Sequence, residues 1–170
     1  MNTMNRGVEW MLTTGGLGHL KPASGTWGSM PPVAIAGLMI LAGVGPGSAN
    51  AWAYFLVLSV ILVIYSGACI AFGIDAEARW KKDPGQVVAD ETAGQCITLM
   101  MIPASMLGTP MAVVLSLVSA FLLFRAFDIL KPWPAGAMQK IAGGWGILLD
   151  DLIAGIMGGV VILIGAAVLG

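Results

Sequence analysis

Five carboxylates mark the ends of long apolar runs in this chain. Asp90 and Glu91 directly precede one run, Asp128 ends another, and Asp150 and Asp151 directly precede a third. Arg125, Asp128 and Lys131 are spaced three apart, so on a helix they share a face. Carboxylates in this number, flanked by cations, fit a hard cation and a phosphate, because Mg²⁺ is held by a few carboxylates together with substrate phosphate oxygens. Adjacent Asp150 and Asp151 point about 100° apart on a helix. One of them is therefore expected to ligate while the other orients a water or supports a ligand. Plainer readings stay open for each group taken alone: acidic helix ends at an interface for 90–91 and 150–151, and an ion-pair ladder for 125–131.

Missing residues narrow the chemistry further. The only histidine, His19, cannot supply the two histidines of a histidine-dependent lipid phosphatase. No Asp-x-Asp occurs, and neither Cys69 nor Cys96 has an Arg six residues later. Both cysteines lie in apolar runs without zinc-ligand spacing and read as free and buried. What remains is a metal-activated water attacking phosphorus. A glycine-rich stretch, 18–29, carries Lys21, Thr26 and Ser29, and glycines there would let backbone N–H groups approach an anion. It lacks P-loop spacing, since Lys21 precedes the glycines, and an interfacial turn with a Trp anchor fits the same pattern. Lys21, Thr26, Ser29, Lys82, Arg125 and Lys131 are the candidate phosphate-binding residues.

Membrane helices must bring these groups together. The chain is 170 residues long, 58% hydrophobic and only 10% charged, with a mean hydropathy of +0.89. Soluble domains are about one-quarter charged, so composition alone indicates a membrane protein. Its net charge of −1 offers no basic stripe for nucleic acid. All 17 charged side chains fall within residues 6–21, 75–91 and 125–151. If each uncharged run crosses a bilayer and returns, the three polar stretches meet on one face.

The run 31–74 is too long for one span of about 20 residues and is broken by the turn cluster 45–50. Helices are expected at 31–45 and 51–74. Pro103 and Gly108-Thr109-Pro110 divide the next run into 92–106 and 111–128, and a fifth helix runs from about Gly146 to the end. The first and third are short enough to be half-spans. Asp83-Pro84 reads as a helix start, which would set Asp90 and Glu91 about two turns in. Val8, Trp10, Met11 and Leu12 indicate an interfacial amphipathic helix within residues 4–18. The expected fold is an all-α polytopic membrane bundle of about five helices, forming one domain over 1–170. The N-terminus lacks an apolar signal core, so the helices themselves are expected to direct insertion. Lysine and arginine are confined to the polar face, which the positive-inside rule assigns to the cytoplasm.

Four segments carry a family resemblance: Pro22-Ala23-Ser24-Gly25-Thr26-Trp27-Gly28-Ser29, Lys82-Asp83-Pro84 through Asp90-Glu91-Thr92-Ala93-Gly94, Phe124-Arg125-Ala126-Phe127-Asp128-Ile129-Leu130-Lys131-Pro132-Trp133-Pro134, and Gly143-Gly144-Trp145 through Asp150-Asp151-Leu152-Ile153-Ala154-Gly155. In order and spacing the chain resembles the phosphatidylglycerophosphatase A family across residues 22–155. Ser24 stands where a proline is common, and Ala135-Gly136 where a larger residue often follows. The resemblance implies Mg²⁺-dependent hydrolysis of phosphatidylglycerophosphate to phosphatidylglycerol and phosphate, at the inner face of a bacterial cytoplasmic membrane. Asp90, Glu91, Asp128, Asp150 and Asp151 would hold one or two Mg²⁺ ions, and Arg125 and Lys131 would clamp the phosphate.

Two other classes compete with this reading. A CDP-alcohol phosphotransferase also uses clustered carboxylates, but its Asp-Gly…Ala-Arg…Gly…Asp…Asp pattern is missing. A small transporter usually carries its site near mid-bilayer, whereas these charges gather at span ends.

Overall fold

The computed structural model describes residues 4–82 and 84–169, and no strand occurs among them. Seven α-helices follow one another: α1 (Arg6–Leu12), α2 (Ser24–Leu41), α3 (Ala51–Arg79), α4 (Ala89–Met100), α5 (Pro110–Leu130), α6 (Ala135–Met138) and α7 (Gly144–Leu169). Short 3-10 turns lie at Leu17–His19 and Ala104–Leu107. Three helices, α3, α5 and α7, are long and apolar enough to cross a membrane.

Where boundaries depart from expectation, the cause is local. α2 begins seven residues before the expected start, at Ser24, and carries Pro31 and Pro32 in its interior. A proline has no N–H to return to the carbonyl four residues back, so Pro32 leaves the Gly28 carbonyl without its helical donor. The Thr92 hydroxyl of α4 lies 2.8 Å from that carbonyl and 2.9 Å from the Val88 carbonyl. Donation to Gly28 turns a helix defect into a joint between α2 and α4.

α4 ends at Met100 instead of about 106, and Pro103 precedes a 3-10 turn. It begins at Ala89 with Val88 as its cap, so Asp90 and Glu91 occupy its first turn instead of lying two turns in. The expectation for Asp83 lies outside the described residues. The N-terminal helix expected from Val8, Trp10, Met11 and Leu12 is α1, Arg6–Leu12, after which the chain turns inward. The Val88 N–H donates to the Leu12 carbonyl at 3.0 Å, and the Thr14 and Thr92 hydroxyls are 2.9 Å apart.

α4 is the axis of the bundle. Twelve residues reach about 18 Å, well short of a bilayer core of about 30 Å. Its polar positions Thr92, Gln95 and Thr98 are nevertheless buried. Small residues permit the packing: a Cβ on Gly94 would lie 2.5 Å from the Asp151 carbonyl oxygen and 2.7 Å from the Phe124 ring. Thr98 then donates to the Gly155 carbonyl at 2.9 Å. α4 and α7 consequently meet backbone to backbone, with Asp90 and Glu91 alongside Asp150 and Asp151.

Candidate active site

Four helix ends converge on one cleft of about 280 Å³. The first turns of α2 and α4 contribute Ser24, Gly25, Asp90 and Glu91. The last two turns of α5 supply Arg125 and Asp128, its C-cap supplies Lys131, and the second turn of α7 supplies Asp150 and Asp151. Lys131 takes a left-handed backbone (φ 43°) that stops α5, with its N–H donating to the Phe127 carbonyl at 2.8 Å. That conformation is costly for a side chain with a Cβ. It leaves the ammonium turned back over the helix end.

The carboxylates fall into two groups. One oxygen each from Asp90, Glu91 and Asp151 lies within 4.8 Å of the others. Asp128 and Asp150 instead hold the cations: Arg125 pairs with Asp128, and Lys131 Nζ lies 3.2 Å from Asp128 Oδ1 and 2.5 Å from Asp150 Oδ2. Two longer contacts link the groups, Arg125 to Glu91 at 3.7 Å and Lys131 to Asp151 at 3.6 Å. The helical offset between Asp150 and Asp151 thus divides them, one toward Lys131 and the other toward the acidic trio.

The trio has the chemistry of a hard-cation site. Asp90 Oδ1, Glu91 Oε2 and Asp151 Oδ2 are buried and accept no hydrogen bond from the described residues. Buried anionic oxygens without donors are costly unless a cation or a proton satisfies them. All the donors are oxygens, the set preferred by Mg²⁺ or Ca²⁺. Burial raises the Glu91 carboxyl to about 7; contact with Asp90 opposes the rise, the Asp128 charge adds to it, and Arg125 opposes it. Burial raises Asp90 as well, and the Glu91 and Asp151 charges reinforce the effect. Burial pulls Lys131 down, but Asp151, Asp150 and Asp128 outweigh it and hold the ammonium above its ordinary value.

The glycine-rich segment contributes differently from its sequence pattern. Thr26 and Ser29 are on α2, not in a loop. The Thr26 N–H donates to the Ala23 carbonyl at 2.9 Å, and the buried Ser29 hydroxyl to the Gly25 carbonyl at 2.7 Å. Neither is among the described residues lining the cleft, and neither are Lys21 and Lys82. Lys21 lines an adjoining cleft with Lys81 that shares Ala23, Ser24 and Gly85 with the acidic one. Lys82 lines a separate hollow beside Glu77 and Gln139.

Sequence reasoning passed over Gly25 and Ser24. A Cβ on Gly25 would collide with Glu91 Oε1 and come within 2.6 Å of Arg125 Nη1. Ser24 Oγ donates to the Gly85 carbonyl at 2.5 Å, tying α2 to the loop before α4. A glycine beside hydroxyls was the available signal, but it pointed to an anion loop instead of a close approach.

Comparison with known proteins bears on this arrangement. The phosphatidylglycerophosphatase A family profile matches residues 10–166. Phosphatidylglycerophosphatase A of Haemophilus influenzae is 34% identical over 151 residues, covering 86% of this chain and 81% of that protein. The Escherichia coli protein of that name is 34% identical over 109 residues, covering 61% of this chain and 59% of its own length. A Bacteroides thetaiotaomicron protein, provisionally named a phosphatidylinositol-3-phosphatase, is 32% identical over 112 residues, covering 66% of this chain and 67% of that protein. No solved structure matches the chain with significance.

Proposed function

Because this chain belongs to the phosphatidylglycerophosphatase A family, we propose that it hydrolyses the terminal phosphomonoester of phosphatidylglycerophosphate, with Mg²⁺, at the cytoplasmic face of a bacterial membrane. The observation that carries this reading is the buried Asp90–Glu91–Asp151 trio beside two cations already held by Asp128 and Asp150. Phosphate and metal are both accommodated by such a site, and a plain ion-pair network has no use for the unsatisfied trio. Asp90, Glu91 and Asp151 would hold the ion. When bound, Mg²⁺ neutralises phosphate charge and makes a water more acidic.

The chain's own groups do the rest. Arg125 presents a planar fork to phosphate oxygens, and Lys131 supplies a second, compact charge beside it. Asp128 and Asp150 orient these two cations before substrate arrives, so little reorganisation accompanies the reaction. A carboxylate outside the trio, Asp128 or Asp150, takes the proton from the attacking water. The water oxygen bonds to phosphorus, the phosphorus–oxygen ester bond breaks, and the glycerol oxygen leaves and is protonated. Lys21 and Lys82 stand outside the cleft and act at longer range, drawing an anionic headgroup toward it. The same chemistry suits other lipid phosphomonoesters, including the class in the Bacteroides relative's name.

In the membrane, α3, α5 and α7 span the bilayer, while α2 and α4 run beside them from the same polar face. The lysines and arginines all belong to the polar stretches, which favours a cytoplasmic site. The test is phosphate release from phosphatidylglycerophosphate by purified protein in mixed micelles, first with Mg²⁺ and then with EDTA. Magnesium-dependent release is expected. No release from folded protein in either condition would overturn the reading.

A further inference from the structure

An apolar groove lies between α2 and α5, formed by Met30, Val33, Ala34, Leu117, Val118 and Phe121. Its volume is about 330 Å³ and its lining is almost wholly apolar. The position matters more than the size. The two helices that wall it are also two that build the cleft: α2 carries Ser24 and Gly25, and α5 carries Arg125 and Asp128. Met30 is five residues along α2 from Gly25, about 7.5 Å at 1.5 Å per residue. Phe121 is four residues along α5 from Arg125, about 6 Å in the same direction away from the cleft.

Beyond Ala34, α2 still packs closely against α5. A Cβ on Gly37 would lie 3.2 Å from Leu117 Cδ1. From Gly25 to Gly37 α2 rises about 18 Å, comparable with the roughly 15 Å of hydrocarbon in one leaflet. The groove therefore starts about one helical turn from the phosphate-clamping Arg125 and lies on the part of α2 and α5 that runs into the apolar layer.

We infer that this groove holds an acyl chain of the lipid substrate, so that the headgroup enters the carboxylate cleft sideways from the bilayer between α2 and α5. The inference rests on the lipid phosphatase reading and adds to it a site for the diacylglycerol part. Proximity to the cleft along the same two helices favours this occupant. A helix from a protein partner would lie across the lipid entrance, whereas a chain attached to a headgroup in the cleft must leave along some apolar path, and this path is adjacent.

Two substitutions fill the groove, Ala34→Trp and Val118→Trp. Leu115→Trp, on a lipid-facing part of α5 outside the groove, serves as the control. Phosphate release would be followed with dioleoyl phosphatidylglycerophosphate in mixed micelles and with the deacylated, water-soluble headgroup. The groove variants should raise KM for the diacyl lipid about tenfold, the equivalent of losing burial of roughly two methylenes. They should leave kinetics on the soluble headgroup unchanged, and the control should alter neither.

Unchanged KM for the lipid, or equal losses on both substrates, would overturn the inference. Absence of activity on both substrates in the wild-type protein would instead remove the phosphatase reading, and the proposed occupant with it. A second measurement needs no turnover. With EDTA present, phosphatidylglycerophosphate bearing a diazirine on one acyl chain should crosslink to the groove peptides several-fold more than diazirine-phosphatidylcholine at equal mole fraction. Equal labelling would mean ordinary annular lipid and would also overturn it.

Discussion

Replacing Lys131 by methionine removes one charge from contact with three carboxylates while keeping a long apolar stem. Lys131 Nζ lies 3.2 Å from Asp128, 2.5 Å from Asp150 and 3.6 Å from Asp151. Arg125 still pairs with Asp128 after the change. Among the described residues, however, no other lysine or arginine comes within 4.0 Å of Asp151. Removing one partner of a buried ion pair costs about 3–5 kcal/mol, because the remaining charge is stranded. The Lys131 side chain is 26% exposed, so hydration softens the loss and about 3 kcal/mol is expected.

Equilibrium unfolding of wild type and Lys131→Met in detergent, near neutral pH with EDTA, measures that loss. Lys131 itself does not confuse the comparison. Its folded value is raised, so its stabilising effect is fully present below the ordinary 10.5 and disappears only as pH rises through the folded value. Lys131→Arg should recover most of the stability. The double variant Lys131→Met/Asp150→Asn should lose less than the sum of the singles, with a coupling of about 0.5–3 kcal/mol. Wild-type stability in Lys131→Met, together with additive singles, would refute the claim that this cation holds the acidic cleft together.

Asp151→Asn should lower turnover by at least about 10²-fold and raise the Mg²⁺ needed for half-maximal activity, with unfolding little changed; wild-type activity would remove Asp151 from the ion's ligands. Metal-free protein should lose up to about 3 kcal/mol of stability as pH rises through the Glu91 window at about 1.36 kcal/mol per unit. The sign follows from Glu91 titrating at about 7 when folded against 4.5 ordinarily, so the folded state retains a proton that the unfolded state has already released. Glu91→Gln should flatten that limb of a thermal-stability profile, and Mg²⁺ at higher pH should restore stability to the wild type. Gly94→Ala should cost about 1–3 kcal/mol by overpacking and reduce activity too, since the new methyl separates α4 from α7 and so Asp90 and Glu91 from Asp151; retained activity would show that this spacing is not critical.

Much of the site was legible because charge is scarce in this chain. When 17 charges in 170 residues gather in three stretches, each carboxylate at the edge of an apolar run stands out. The three-residue spacing of Arg125, Asp128 and Lys131 anticipated the pairs Arg125–Asp128 and Lys131–Asp128. Turn residues also gave the break between α4 and α5 and the start of α3 at Ala51. Thr26 and Ser29 were harder. Glycines and hydroxyls serve an anion loop or a tightly packed helix equally well, and Pro31-Pro32 concealed the earlier start of α2. A proline pair is a poor helix interior until another helix supplies a donor for the released carbonyl, and Thr92 is 64 residues from Gly28 in sequence.

From the sequence alone follow an all-helical membrane protein, one polar face, and the five carboxylates and two cations that meet there. These follow from hydropathy and helical periodicity, which act over a few turns and need no knowledge of neighbours. Tertiary structure alone decided the grouping of the carboxylates: Asp151 joins Asp90 and Glu91, while Asp150 turns to Lys131. It also made Gly25 a point of close approach to Glu91 and Arg125 and α4 a short buried axis. The physical reason is that these properties depend on how closely two backbones approach. That distance is set by the glycines facing each other across α4 and α7, residues far apart in the chain.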